Sequence, residues 1–290
     1  MPFLRGIVRI VIVTNNGLFA VASLKRFAEE QARNVCGVAI TTQLPGGRSR
    51  FLGLLKMFWC SGWKYTSLKL AINVFIPLIA RIRGAPPSLV DALRRSGFSG
   101  PVRKCARADA PEILSWLREL RPDVVLAAGA THRFNDELLS IPTHCAVNMH
   151  PSLLPRYAGR APYFWCLMND DPTAGVTIHI TASKLDAGDI VDQRTISLRD
   201  KDMVLDLIAD MWQVNDAMVG DFFAGGASTE AARPQNLAER TFFRDPTRRD
   251  VQRLTSRGIG VWNYRSFARA LRVATSPGRK VVDAVDVRRE

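Results

Sequence analysis

Short apolar runs alternate with amphipathic stretches along the first two thirds of the chain. Ile7–Val13 is apolar but for Arg9 and is followed by the turn-forming Thr14-Asn15-Asn16-Gly17. Val21, Leu24, Phe27 and Ala28 then recur at helical spacing, so the opening reads as strand, turn, helix. Val35–Thr41 predicts a second strand, and Pro111–Leu120 a helix entered through Ala110-Pro111. Val124–Ala128, ending at Gly129, and Cys145–Met149 predict buried strands. Val176–Ile180 and Ile190–Ile196 alternate, as paired strands at a sheet edge do. Val204, Leu207, Ile208, Met211, Val214, Met218 and Phe222 mark Met203–Phe223 as one long helix.

Strands alternating with helices predict an α/β fold with a Rossmann-like, mostly parallel sheet. Residues 43–104 read as irregular: Pro45-Gly46-Gly47, a mixed aromatic and basic stretch from Phe51 to Arg83, then Pro86-Pro87. The helical period stops at Gly225-Gly226, and the remaining chain is polar, Arg-rich and punctuated by Phe242, Phe243, Trp262, Tyr264 and Phe267. The expected organisation is a domain over 1–223 with a basic, aromatic insertion at 43–104. A small basic C-terminal module occupies 224–290, with a mobile tail.

Composition narrows this picture. With 290 residues, 47% of them hydrophobic and 23% charged, the chain builds a substantial core and is not disordered. Cys36, Cys60, Cys105, Cys145 and Cys166 form no CxxC pair, which argues against a zinc knuckle or a disulfide scaffold and for reduced thiols in a cytoplasmic protein. The longest apolar stretch, Leu70 to Ala80, carries Asn73 and Pro77, so no segment is expected to span a membrane. The net charge of +13 asks for an anionic partner. From Gln31 to Val90 there are eight Lys/Arg and no acidic residue, and from Ala231 to Glu290 fourteen Lys/Arg stand against six Asp/Glu. Two basic flanks therefore enclose a near-neutral middle.

Reactive groups concentrate in that middle. Asn148 and His150 are two apart at the end of a strand, so both side chains take the same face. An amide beside an imidazole can stabilise an oxyanion, and a carboxylate from a later loop can hold the imidazole charged and move a proton. A capped strand end with a polar loop would look the same on spacing alone. His179 reads as a structural or pocket-wall residue and His144 as a loop residue. No metal site is expected, because no His pair or His-carboxylate cluster has ligand spacing. Ser152 lacks the context of a serine nucleophile.

The full string is more specific. Asn148-x-His150-Pro151-Ser152-Leu153-Leu154-Pro155 and Gly159, then Gly175-Val176-Thr177-x-His179, then Leu185-Asp186-x-Gly188-Asp189-Ile190 resembles the folate-dependent formyltransferases that act on methionyl-tRNA, glycinamide ribonucleotide and amino sugars. The similarity is clear from about Pro122 to Leu198. It implies 10-formyltetrahydrofolate as formyl donor, no metal, and Asn148, His150 and Asp186 as catalytic residues. It places the pterin between Gly129 with His132, Arg133 and Phe134 on one side and Ala182, Ser183, Lys184 and Leu185 on the other.

The acceptor stays open at this level. The turn after the first strand has a single Gly, unlike the phosphate loop of glycinamide ribonucleotide enzymes. Asn16, Gly17, Arg48, Arg50 and Ser152 are the expected acceptor contacts. Pro45 to Arg50 is similar to the basic loop of methionyl-tRNA enzymes, whereas Ala158 replaces the Arg usual in that branch. The aromatic and basic stretch over 51–83 fits a lid on a phosphorylated or nucleotide-linked substrate, a weak membrane-surface contact, or a solvated face over an extra cluster. An amino group on an anionic sugar or specialised metabolite is the expected acceptor, with tRNA as alternative and hydrolysis of formyltetrahydrofolate as a second.

Overall fold

The computed structural model describes residues 8–42, 50–130, 132–198 and 203–278. In chain order these form β1 (Ile10–Thr14), α1 (Leu18–Ser23), α2 (Lys25–Gln31), β2 (Val35–Thr41), α3 (Arg50–Leu70), α4 (Ile76–Ile82), α5 (Leu89–Arg95), β3 (Val102–Cys105), α6 (Pro111–Leu120) and β4 (Val124–Ala128). They continue as α7 (Asp136–Leu139), β5 (Cys145–His150), β6 (Ala158–Gly159), α8 (Pro162–Met168), β7 (Thr173–Ile180), β8 (Ile190–Ser197), α9 (Val204–Ala224), β9 (Phe242–Phe243), α10 (Arg248–Ser256) and α11 (Tyr264–Thr275).

The main sheet has seven strands in the order β3-β2-β1-β4-β5-β7-β8. β1 to β5 run parallel, and the β7–β8 hairpin closes the edge antiparallel to β5. This is the mostly parallel α/β sheet that the alternating pattern predicts. Side-chain alternation gives each face its own core. Ile10, Ile12, Leu126 and Val147 face the cluster built with α1, α2 and α9. Val11, Val13, Val125, Ala127 and Ala146 face a smaller cluster around Ile113, Leu114, Trp116 and Leu117 of α6. The strand order reverses between β1 and β4, and in open α/β sheets a crevice forms at the carboxyl ends of the strands at such a switch.

Residues 43–104 correct the expectation of irregular chain. The part at 43–49 lies outside the described residues, but 50–82 is helical, with a break at Gly62 (φ 81°) and one π-helical turn at Ala71–Phe75. Tyr65, Leu68, Ile72, Ile76 and Ala80 recur at helical spacing and are buried. The signal is masked because the opposite face is also apolar, which flattens the periodicity that marks an amphipathic helix. β3 is not legible in the sequence because Val-Arg-Lys-Cys is a partly exposed edge strand with no apolar run.

Within the helical run Leu55–Ile82 an 18-residue window reaches a mean hydropathy of 1.3, so by length and composition alone this run could cross a membrane, where the sequence predicts no such segment.

After Gly225 the chain returns to the same core. Val251, Leu254, Ala270, Leu271, Val273 and Ala274 belong to the cluster that backs the sheet. Trp262 donates its indole N–H to Ser67 Oγ at 3.0 Å, tying this segment to α3. The last residues, 279–290, lie outside those described.

Candidate active site

The carboxyl ends of β1, β4 and β5 and the end of β7 open into one cavity of about 560 Å³. Each strand delivers a residue there because the strand ends while still in register. Asn15 follows β1, Gly129 follows β4, Asn148 and His150 close β5, and His179 lies opposite Asn148 across the antiparallel pair. The β7–β8 turn brings Asp186 over this edge.

Asp186 holds a left-handed backbone (φ 51°) and is buried. Its Oδ2 accepts the Gly159 N–H at 2.9 Å, and its Oδ1 lies 3.6 Å from His150 Nδ1. The other imidazole nitrogen of His150 lies 3.2 Å from the Tyr157 carbonyl and donates to it. Both ring nitrogens therefore face oxygen acceptors. The 3.6 Å separation is an ion-pair distance rather than a hydrogen bond.

Asn148 is held from the neighbouring strand. Its Nδ2 donates to His179 Nε2 at 3.0 Å, while His179 Nδ1 donates to the Ile180 carbonyl at 2.9 Å. Burial pushes the His179 imidazole down to about 4, with Asp186 opposing and His150 adding to the shift. A neutral imidazole with its proton on Nδ1 is the form that can accept from the amide. The second N–H of Asn148 is then left for the cavity.

The loop after His150 is set by buried hydrogen bonds. Thr177 donates to the Ser152 carbonyl at 2.6 Å, and Gln193 Nε2 donates to the Leu154 carbonyl at 2.9 Å. Ser152 is fully buried and donates to the Arg156 carbonyl at 3.0 Å. This corrects its expected contact with acceptor: its hydroxyl is spent on the loop.

Residues 84–219 match the family model described as formyl transferase. A methionyl-tRNA formyltransferase of Roseiflexus sp. is 30% identical over 243 residues, 83% of this chain and 64% of that protein. The methionyl-tRNA formyltransferase of Geobacter metallireducens is 40% identical over 98 residues, 34% of this chain and 32% of that protein. The chain thus spans between about a third and two thirds of the length of these curated relatives. Over residues 84–219 the chain is thus similar to the formyl transferase family. The fold agrees. An N-formyltransferase of Helicobacter canadensis, solved with folinic acid and dTDP-3-aminofucose, superposes with a TM-score of 0.54 at 16% identity over 92% of this chain and 80% of that one. Glycinamide ribonucleotide transformylase 1 of Symbiobacterium toebii gives 0.52 at 18% identity over 80% and 96%.

In this chain the cavity takes in Gly129, His132, Arg133 and Phe134 on one wall and Ala182 and Leu185 on the other. Ser183 and Lys184 are exposed and do not line it. Gly129 has φ 72°, and a Cβ there would stand 3.2 Å from Asn15 Oδ1, so its lack of side chain lets β1 and β4 end together. Asn16 turns away: its Oδ1 accepts the Val90 N–H of α5 at 3.3 Å. Gly17 borders a smaller cavity of about 200 Å³ next to the first. Arg48 lies outside the described residues, and Arg50 is placed only as the start of α3.

Sequence reasoning missed Lys69, Tyr163 and Phe19, which line both cavities. Lys69 donates to the Tyr163 hydroxyl and lies 5.2 Å from the ring centres of Tyr65 and Tyr163. The one signal in the chain is Lys69 four residues after Tyr65, on the same helical side.

Proposed function

We propose that this protein transfers the formyl group of 10-formyltetrahydrofolate to a primary amine on an anionic acceptor, an amino sugar or another specialised metabolite. The observation that carries the reading is the convergence of Asn148, His150 and Asp186 on one cavity, with Asp186 3.6 Å from His150. The cavity also suits the donor. Its wall includes the His132 ring, whose Nε2 accepts the Ala108 N–H at 2.9 Å and whose buried Nδ1 has no partner among the described residues. An imidazole so placed keeps one N–H for a flat heterocycle stacked among Phe134, Ala182 and Leu185.

When bound, the donor supplies a formyl carbon on a nitrogen that can leave as an amine. Asn148 presents its free amide N–H to the oxygen on which negative charge grows as the amine attacks, and His150, whose ring nitrogens face Tyr157 and Asp186, stabilises that charge through space as a neighbouring cation. Asp186, buried next to His150, balances the imidazolium and takes the proton that the attacking amine must lose. That proton returns to the leaving nitrogen as its bond to carbon breaks, leaving an N-formyl product and tetrahydrofolate. Gly159 N–H and Tyr157 C=O fix the carboxylate and the ring in these roles.

The acceptor side is the smaller cavity, whose walls of Phe19, Ile72, Ile208, Met211 and Trp212 carry Lys69 and Asn73. Lys69 offers one half-buried cation, which suits a phosphate or carboxylate better than a neutral amine alone. The methionyl-tRNA relatives at 30% identity favour a second reading, with aminoacylated tRNA as acceptor. Incubating the protein with 10-formyltetrahydrofolate alone, with nucleotide-linked amino sugars and with methionyl-tRNA separates these readings. Tetrahydrofolate formed only with the amino sugars is the expected result. Release with tRNA alone establishes the second reading, and release without any amine establishes a hydrolase.

A further inference from the structure

The outer face of α3 and α4 is apolar where a protein surface is ordinarily polar. Among the described residues, eight of the eleven exposed large hydrophobic side chains lie on this run: Leu55, Phe58, Trp59, Trp63, Val74, Phe75, Leu78 and Ile82. Trp59, Trp63 and Ile82 are 72%, 66% and 76% exposed. Val74, Leu78 and Ile82 recur every four residues, so they form a stripe along one side of the helix. A contiguous patch of this kind marks an interaction surface.

The run does not cross a bilayer as a free helix, although its length allows it. Its inner face, Tyr65, Leu68, Ile72 and Ile76, is buried in the main core. Gly62 breaks it, Lys69 is bonded to Tyr163, and Lys64 Nζ reaches Thr255 Oγ1 at 3.4 Å. Extraction would undo all of these contacts. What the fold allows is a helix lying flat, with one side on the protein and the other on an apolar medium.

Charge selects the occupant. Lys56, Arg81 and Arg83 are exposed on the same run, Arg248 donates to the Phe58 carbonyl at 3.5 Å, and no acidic residue occurs from Gln31 to Val90. A second copy would bring like charges together across a twofold axis. RNA could stack on the two tryptophans, but Leu55, Val74, Leu78 and Ile82 offer no ring for a base. Trp beside aliphatic side chains within a basic rim matches the interface of an anionic bilayer.

We infer that the α3–α4 face docks this protein on membranes that carry anionic lipid. Trp59, Trp63, Phe75, Leu78 and Ile82 enter the acyl boundary, while Lys56, Arg81 and Arg83 sit among the headgroups. Because α3 also carries Lys69 into the cavity, the membrane-facing element and the acceptor wall are one helix. An acceptor held at the bilayer surface is then within reach of the site without leaving it.

The test is sedimentation of the whole chain with vesicles of phosphatidylcholine alone or mixed with phosphatidylglycerol, in the absence of either substrate. Each basic residue near an anionic surface is worth about fivefold in binding, so the mixed vesicles should bind at least about tenfold more tightly. Trp59→Ala with Trp63→Ala should reduce that binding at least about tenfold, and brominated lipid should quench the wild-type fluorescence. Leu78→Gln with Ile82→Gln, at exposed positions that the core does not need, should do the same. Formyl transfer to a soluble acceptor should be unchanged in both variants, so the binding assay stands whether or not the reaction is as proposed. Failure to bind the mixed vesicles, or binding that both double variants leave intact, overturns the inference. So does concentration-dependent dimerisation, or tRNA binding, that the same variants abolish while vesicle binding is absent.

Discussion

Asn148 and His150 share a face because the strand alternates, but what aims Asn148 is His179 on the neighbouring strand. The two are opposite each other in the antiparallel register, and the 3.0 Å bond needs His179 neutral. Removing the imidazole by His179→Ala should therefore free the amide and lower kcat about tenfold or more, with folate affinity little changed. Steady-state kinetics beside a folate titration would show the split, and a parallel loss of folate affinity would instead point to a collapsed wall. The shift of His179 to about 4 also has a consequence for stability. The unfolded chain, with imidazoles near about 6.5, binds more protons than the native one between those values. Stability should thus be full above about pH 6.5 and fall towards pH 4, by at most about 1.4 kcal/mol per unit from this group. Urea unfolding of His179→Gln should show a shallower slope across that window. The residues proposed as catalytic are legible at this scale because short motifs hold them. The role of His179 is not, since spacing within β7 does not say which residue of β5 stands opposite.

At the scale of elements, the β7–β8 turn and α3 do most to place the chemistry. A Cβ on Gly188 would stand 1.9 Å from the Ile180 carbonyl oxygen, so this turn closes only with glycine there. Gly188→Ala should cost about 2–4 kcal/mol, lower the melting temperature by roughly 5–10 °C and displace Asp186. Activity should therefore fall further than stability alone explains. α3 contributes Lys69, whose cation lies between the two tyrosines. Lys69→Met should raise the acceptor KM by about tenfold and leave folate binding within about twofold. Equal effects on both substrates would remove Lys69 from the acceptor side. The hairpin can be read from alternation, and α6 and β4 from their own periodicity. α3 cannot, because its exposed face is as apolar as its buried one and the helical signal cancels. Ser152 shows the reverse failure. A hydroxyl in a reactive motif looks available, but only the fold reveals that the Arg156 carbonyl takes it.

Across the whole molecule, the seven-stranded sheet sets the site at the switch between β1 and β4, and the C-terminal helices back it through the same core. The parallel sheet is implicit in the alternation of strands and helices. The return of 248–275 to the core is not, because Arg-rich helices with one narrow apolar stripe resemble a polar tail. Among the described residues no group of three His, Cys, Asp or Glu could hold a metal. Activity should accordingly survive chelation, and a loss reversed by one divalent ion would contradict that. The most direct test of the account is to separate donor binding from turnover at the catalytic group. His150→Ala and Asp186→Ala should each bind 10-formyltetrahydrofolate nearly as the wild type does, yet lower the single-turnover rate of formyl transfer to the proper amine by about a hundredfold or more. Turnover close to wild type in either variant would contradict the assignment of this site.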